Sequence, residues 1–104
     1  MTYQDFDPEQ AKQALDANPD LRLLDVRTEP EFAAYRIENA TLIPVQEIAQ
    51  RFDELDASAS YLVYCEHGMR SVAACEFLNE QGFTKLTNLR GGMAAWLGAG
   101  LPHV

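Results

Sequence analysis

Short apolar runs alternate along the chain with segments in which apolar residues recur at helical spacing. The runs are rich in Leu, Ile, Val and Tyr, and they predict four buried strands, at residues 21–26, 41–43, 60–64 and 85–89. The segments between them predict helices over residues 8–16, 30–35, 46–55, 71–81 and 93–97. Strands separated by helices favour parallel pairing with crossover helices, and therefore an α/β fold.

Several helix ends carry their own signals. Asp7 can cap the first helix, with Pro8 in its first turn. Thr28 can cap the second, and Glu31 stands at the third position of a capping box. Gly82 follows the predicted helix at 71–81 and can end it in the left-handed conformation that glycine adopts easily.

Length and charge narrow the class of protein. The 104 residues suit one domain, predicted to span residues 1–104, and 47% hydrophobic residues can supply its core. The net charge of −8 argues against nucleic acid and anionic membranes as partners. The first residues lack an apolar run, and two cysteines are too few for a disulfide framework. We therefore expect a cytoplasmic protein with free thiols, and a monomer.

The segment after the strand at 60–64 carries the candidate chemistry. Six residues, from Cys65 to Arg70, join that strand to a helix predicted to begin near Ser71. Gly68 permits a tight turn, and such a loop can point backbone N–H groups inward, where they and the helix N-terminus favour a thiolate. Arg70 adds a permanent positive charge or a structural clamp. From residue type alone, a buried structural cysteine is the commoner case, and the setting with Gly68 and Arg70 makes the two interpretations equal.

This segment, residues 65–71 (CEHGMRS), resembles the active-site loop of rhodanese-like domains. Further matches run along nearly the whole chain in the family's order, at residues 23–27 with 31–32, 36–40, 43–44, 82–83, 89–96 and 101–102. Each match alone is weak, but their order and spacing together are very specific.

The resemblance implies a three-layer fold, with a parallel five-stranded sheet between helices. It implies transfer of sulfane sulfur without a metal or an organic cofactor. Cys65 would take sulfur from thiosulfate or a persulfide donor and pass it from a Cys65 persulfide to a thiol or cyanide. The loop residues would hold the persulfide; they are Glu66, His67, Gly68, Met69 and Arg70, with Ser71 in support.

Related functions remain open from the sequence. Cysteine phosphatases with a similar cradle have seven residues from Cys to Arg, so the six-residue loop here fits sulfur better than a tetrahedral oxyanion. A non-catalytic rhodanese-like binding module is one alternative, although the intact Cys65 speaks against it. A persulfide carrier in a relay for tRNA thiolation or cofactor synthesis is another.

Residues outside the loop offer two interpretations each. Asp25 and Arg27 end the first strand, and Arg27 could receive an anionic donor near the Cys65 loop. A network of Arg27 with Asp25 or Glu31 that fixes the neighbouring loop is favoured over that role. Arg36 stands where the family often has His, so we expect a surface or hinge role for it.

Charges beside Cys65 bear on the donor. Glu66 should oppose thiolate formation and repel the thiosulfate dianion unless it points into solvent, which makes a neutral or protein-bound persulfide at least as plausible. His67 could pair with Glu66, donate a proton to the outgoing group, or face water. Cys75 has core spacing on the next helix, and a disulfide with Cys65 is less expected. Cys65, His67 and Cys75 lack zinc-site spacing.

Overall fold

The computed structural model describes residues 3–104 and contains one five-stranded sheet with helices on both faces. The strands are β1 (Gln4–Phe6), β2 (Arg22–Asp25), β3 (Thr41–Leu42), β4 (Tyr61–Tyr64) and β5 (Leu86–Leu89). The helices are α1 (Pro8–Ala17), α2 (Glu29–Ala34), α3 (Ile48–Arg51), α4 (Met69–Glu80) and α5 (Gly92–Gly98). The strand order is β1-β5-β4-β2-β3, and every neighbouring pair is parallel.

Each face of the sheet has its own core, because successive side chains of a strand point to opposite faces. Leu62 of β4 packs in one cluster with Ala11 of α1 and Trp96 of α5. The next residue, Val63, packs in a second cluster with Leu78 of α4. The sheet therefore forms the middle of three layers, and β4 is buried along its whole length. The predicted α/β fold class is confirmed.

The local signals at helix ends are also confirmed. Asp7 and Thr28 cap α1 and α2 through capping boxes completed by Gln10 and Glu31. Gly82 has a φ of 97° just after α4. These ends were predictable because each depends on residues only a few positions apart.

Two elements differ from the sequence prediction. The predicted helix at 46–55 is wrong as a continuous helix, because short 3₁₀ turns at Val45–Glu47 and Phe52–Glu54 flank a single turn of α3. Among these residues only Ile48 is fully buried, while Val45 and Phe52 pack partly buried against the same core, so the core covers too little of this segment to stabilise one longer helix. The strand β1 was not predicted from the residue pattern, since its three residues pair only with β5.

Two remaining points concern the extent of the chain and its helices. The predicted domain covers residues 1–104, and of these Met1 and Thr2 lie outside the described residues. The longest helix between residues 3 and 104 is α4, with 12 residues, and none in that range is long and apolar enough to cross a membrane.

Candidate active site

Cys65 lies directly after β4, at the carboxyl edge of the sheet. The chain turns at Gly68, whose φ is 96°, and α4 begins at the next residue, Met69. The predicted start near Ser71 was therefore two residues late, because the left-handed Gly68 reverses the chain sooner than the pattern indicates. As a result, Met69, Arg70 and Ser71 form the first turn of α4, and their N–H groups lack partners within the helix.

The sulfur of Cys65 meets two of the unpaired N–H groups at this helix end. Gly68 donates its backbone N–H to Sγ at 3.0 Å, and Ser71 donates its own at 3.3 Å. No side chain caps α4 in the ordinary way, so the sulfur occupies the place of a capping oxygen. Two N–H donors that point at the Cys65 sulfur favour negative charge on it over the neutral form.

The side chain of Ser71 continues the contacts of Cys65 inward. The Sγ of Cys65 donates to the Ser71 hydroxyl at 3.3 Å, and that hydroxyl donates to Oδ1 of Asn88 on β5 at 2.6 Å. Cys65 and Ser71 retain 1% and 0% of their surfaces exposed. A reacting group must therefore reach the sulfur with a narrow end.

The beginning of α5 holds the Cys65 loop from the other side. The N–H of Met93 donates to the carbonyl of Cys65 at 2.8 Å, and that of Ala94 donates to the carbonyl of Glu66 at 3.0 Å. Gly92 has a φ of 62°, and a Cβ there would lie 2.6 Å from the Glu66 carbonyl and would also overlap the Cys65 carbonyl oxygen. The sequence pattern gave no sign that backbone passes this close to Gly92.

The guanidinium of Arg70 binds Glu31 of α2. Its two terminal nitrogens contact the two carboxylate oxygens at 2.8 and 2.9 Å, the paired geometry in which guanidinium and carboxylate interact most strongly. Thr28 donates its backbone N–H to the same carboxylate at 2.9 Å. These hydrogen bonds, led by those from Arg70, lower the pKa of Glu31 to about 2. Arg70 thus ties the start of α4 to α2.

Arg27 lies in the loop after β2, is completely buried, and contacts the Cys65 loop. Its guanidinium binds both carboxylate oxygens of Asp25, the shortest contact being 2.7 Å, and donates to the Tyr35 carbonyl at 2.8 Å. Its remaining nitrogen contacts Glu66 at 3.2 Å. The structure therefore pairs Arg27 with Asp25, whereas Glu31, the other partner considered, binds Arg70.

The Glu66 carboxylate is mostly buried and is held by two partners. Besides Arg27, it accepts from the Tyr35 hydroxyl at 3.4 Å, and 18% of its side chain is exposed. The sequence interpretation considered repulsion, a solvent-facing carboxylate or pairing with His67, and it identified neither Arg27 nor Tyr35 as a partner of Glu66. Arg27 offsets the negative charge of Glu66. Because its guanidinium is already paired with Asp25 and Glu66, it is not free to bind an anionic donor.

The other sequence candidates lie around or outside this cluster. His67 is exposed, and Met69 is 82% exposed at the first position of α4. Arg36 donates to the Phe32 carbonyl and lies over the Phe32 ring, 4.6 Å from its centre. Cys75 is fully buried, which raises the pKa of its thiol to about 12. Across residues 3–104, no three His, Cys, Asp or Glu side chains form a cluster that could hold a metal ion.

Comparison with known proteins places this architecture in a family. The model of the rhodanese-like domain matches residues 7–99. The chain is 38% identical over 100 residues to a sulfurtransferase of Allochromatium vinosum, covering 96% of this chain and 94% of that protein. It is 30% identical over 101 residues to a thiosulfate sulfurtransferase, GlpE, of Actinobacillus pleuropneumoniae, covering 97% and 93%.

Solved structures agree with the sequence comparison. A rhodanese-related protein from Thermoplasma volcanium superimposes with a TM-score of 0.89 at 30% identity, covering 98% of both chains. The chain therefore belongs to the rhodanese-like domain family, and the five-stranded sheet implied by the resemblance is confirmed.

Replacing Gly92 with Ala tests how closely α5 supports the loop. We expect Gly92→Ala to lower the free energy of unfolding by about 2–4 kcal/mol, because the new Cβ meets backbone and the φ is left-handed. Urea denaturation measures this change. Gly98→Ala, in the same helix and with no atom within 4 Å of its Cβ, is the control. Equal midpoints for the two variants would contradict the expectation.

The Arg70–Glu31 pair predicts a dependence of stability on pH. Because the folded pKa of Glu31 is about 2, below its ordinary 4.5, the pair stabilises the protein fully above about pH 4.5 and loses its effect as pH falls towards 2. Glu31→Gln should lower the free energy of unfolding by about 1–2 kcal/mol at pH 7, and the difference should shrink below pH 4.5. Chemical denaturation across pH measures it, with the exposed Glu29→Gln as control. A difference that stays constant with pH would refute the assignment.

Proposed function

We propose that this protein is a sulfurtransferase that carries sulfane sulfur as a persulfide on Cys65. The observation that carries the proposal is the convergence of the Gly68 and Ser71 N–H groups on Sγ at the start of α4. Donors that point at the sulfur stabilise negative charge on it, and a thiolate is the reactive form of cysteine. Named sulfurtransferases among the relatives support the same chemistry.

The proposed cycle has two displacements at sulfur. First, the Cys65 thiolate attacks the outer sulfur of the donor. The new S–S bond forms as the old one breaks, and the donor leaves with the electron pair, as sulfite or as a thiolate. Second, an acceptor thiolate or cyanide attacks the terminal sulfur of the Cys65 persulfide, and Cys65 leaves as the thiolate. The Gly68 and Ser71 N–H groups stabilise the negative charge on sulfur in both steps.

The geometry of the Cys65 loop fits sulfur transfer better than it fits a phosphatase. In the present loop the Gly68 and Ser71 N–H groups bind the sulfur itself, at 3.0 and 3.3 Å. The Arg70 side chain, which would be needed to bind a phosphate, is bound in a paired geometry to Glu31. Both observations favour sulfur transfer over phosphoryl or arsenate chemistry.

Removing the sulfur of Cys65 tests the proposal directly. We expect Cys65→Ser to abolish the mass increment of one sulfur atom after exposure to thiosulfate or a polysulfide, and to reduce sulfur transfer to cyanide by at least about 10³-fold. Cys75→Ser should retain most of both activities, since Cys75 is buried with a raised thiol pKa. Intact-mass analysis and thiocyanate formation are the measurements. Sulfur uptake by Cys65→Ser at the normal rate would disprove the mechanism.

The preferred donor follows from the charges beside the sulfur. Arg27 is paired with Asp25 and Glu66, so this buried cation is not free to bind a dianion such as thiosulfate. The exposed Met69 provides apolar surface beside the loop. We infer a donor with little net charge near its reacting sulfur, such as a protein-bound persulfide within the cytoplasm, in preference to thiosulfate.

Neutralising Glu66 should change donor preference. We expect Glu66→Gln to raise kcat/KM for thiosulfate up to about tenfold relative to the persulfide of cysteamine, whose ammonium group offsets the persulfide charge. Parallel steady-state assays with both donors measure the ratio. Glu80→Gln, with the same change in net charge at the far end of α4, should leave the ratio unchanged. An unmoved ratio in Glu66→Gln, or an equal shift in both variants, would exclude this role for Glu66.

A further inference from the structure

A series of hydrogen bonds, buried from Cys65 to Asn88, links Cys65 to the edge strand β1. The Cys65 sulfur contacts the Ser71 hydroxyl at 3.3 Å, and that hydroxyl contacts Asn88 at 2.6 Å. The amide nitrogen of Asn88 contacts Asp5 at 2.9 Å, and Arg90 holds the second oxygen of Asp5 at 2.9 Å. Ser71 and Asn88 are 0% and 3% exposed, so water cannot readily replace these partners.

Each member of this series has its donor and acceptor roles fixed by its neighbour. Asp5 is a carboxylate, because the hydrogen bonds from Asn88 and Arg90 outweigh its burial and hold its pKa below the ordinary value. A carboxylate only accepts, so the NH₂ group of Asn88 faces Asp5 and its carbonyl faces Ser71.

The same reasoning fixes the direction of the remaining two bonds. The Asn88 carbonyl only accepts, so the single proton of the Ser71 hydroxyl points to Asn88. The lone pairs of Ser71 therefore face Cys65, whose sulfur must be the donor of the contact between them. A protonated thiol satisfies this contact, whereas a thiolate would face the oxygen lone pairs.

We propose that Asn88, oriented by Asp5, is a positioning residue that directs the Ser71 proton away from Cys65 and thereby favours the protonated, resting thiol. The effect opposes that of the Gly68 and Ser71 N–H groups, which favour the thiolate. The Cys65 loop and the β1–β5 edge together set how much thiolate is present. The consequence for turnover rests on the proposed sulfur transfer, but the ionisation of Cys65 can be measured without it.

Apart from Asp5 and its partner Arg90, which Asp5→Asn alters, the charged groups around the sulfur are the same in every comparison below. Arg70, which interacts with Cys65 electrostatically, is paired with Glu31 on α2. From the body of α4, Cys75 interacts with Cys65, and its thiol pKa of about 12 keeps it neutral across the useful pH range. Within the loop, Glu66 is paired with Arg27 of the neighbouring loop, and His67 is exposed. Because all these residues are retained, they cancel in differences between variants.

The test measures the rate at which iodoacetamide alkylates Cys65 from pH 5 to 10, since only the thiolate reacts. Trypsin separates Cys65, in residues 52–70, from Cys75, in residues 71–85, so mass spectrometry follows each thiol alone. Asn88→Ala frees the Ser71 hydroxyl to donate to the thiolate. We expect the midpoint of the pH–rate profile to move about one unit lower. Loosening of the loop alone would weaken the N–H contacts and move the midpoint upward.

Three further variants identify the cause of the shift. In a Ser71→Ala background, Asn88→Ala should no longer move the midpoint, because the hydroxyl it controls is gone. Asp5→Asn keeps the shape of the side chain but lets the Asn88 amide turn over, so it should also lower the midpoint. The midpoint should fall further when Ser71 is present than in the Ser71→Ala background. Thr87→Ala removes a neighbouring β5–β1 contact, to Gln4 at 3.2 Å, and should leave the midpoint unchanged.

The outcomes separate this inference from the proposed function. Unmoved or raised midpoints in both Asn88→Ala and Asp5→Asn, or equal shifts with and without Ser71, would overturn the positioning role of Asn88. Asp5→Asn keeps this test available if Asn88→Ala does not fold. The sulfur-transfer activity of Cys65→Ser tests only the proposed function. Neither its loss nor its retention changes what the alkylation experiment shows about Asn88.

Discussion

The first N–H groups of α4 have no partner within their own helix, and the sulfur of Cys65 binds two of them. That contact requires the chain to reverse within three residues after Cys65, which the left-handed Gly68 permits. It also requires the loop to stay close to α5, which Gly92 permits by having no side chain. The glycines of the loop and of α5 thus serve one geometric condition, the placement of amide groups around one sulfur atom.

Two ion pairs hold this arrangement in place, in different surroundings. Arg70 and Glu31 are each about one-third exposed and join the start of α4 to α2. Arg27 and Asp25 are fully buried, and such charges persist in a core only when all their hydrogen-bonding groups have partners. Glu66 provides one of those partners, so the residue after Cys65 is fixed by the need to satisfy a buried guanidinium.

The parts of the fold that the sequence predicts are those with short-range causes. The caps at Asp7 and Thr28 and the turn at Gly82 depend on residues a few positions apart. The alternation of strands and helices predicted the parallel sheet. The strand β1 escaped prediction because its three residues are stabilised by pairing with β5, more than 80 residues away in sequence.

The candidate site shows the same division between local and distant causes. The Cys65 loop was identified from consecutive residues and from its resemblance to a family. Two of its partners were not, because Tyr35 and Asn88 come from separate elements and have no signature of their own. Only packing brings an ordinary strand asparagine to 2.6 Å from the Ser71 hydroxyl.

The contacts from Met93 and Ala94 to the Cys65 loop also determine when the site can form during synthesis. A ribosome adds residues from the N-terminus, so Cys65 emerges well before the N–H groups that hold its carbonyl. Until α5 has been made, the loop lacks that support and β4 lacks β5, its neighbour in the sheet. The surroundings of the sulfur are therefore complete only after β5 and α5 have been made.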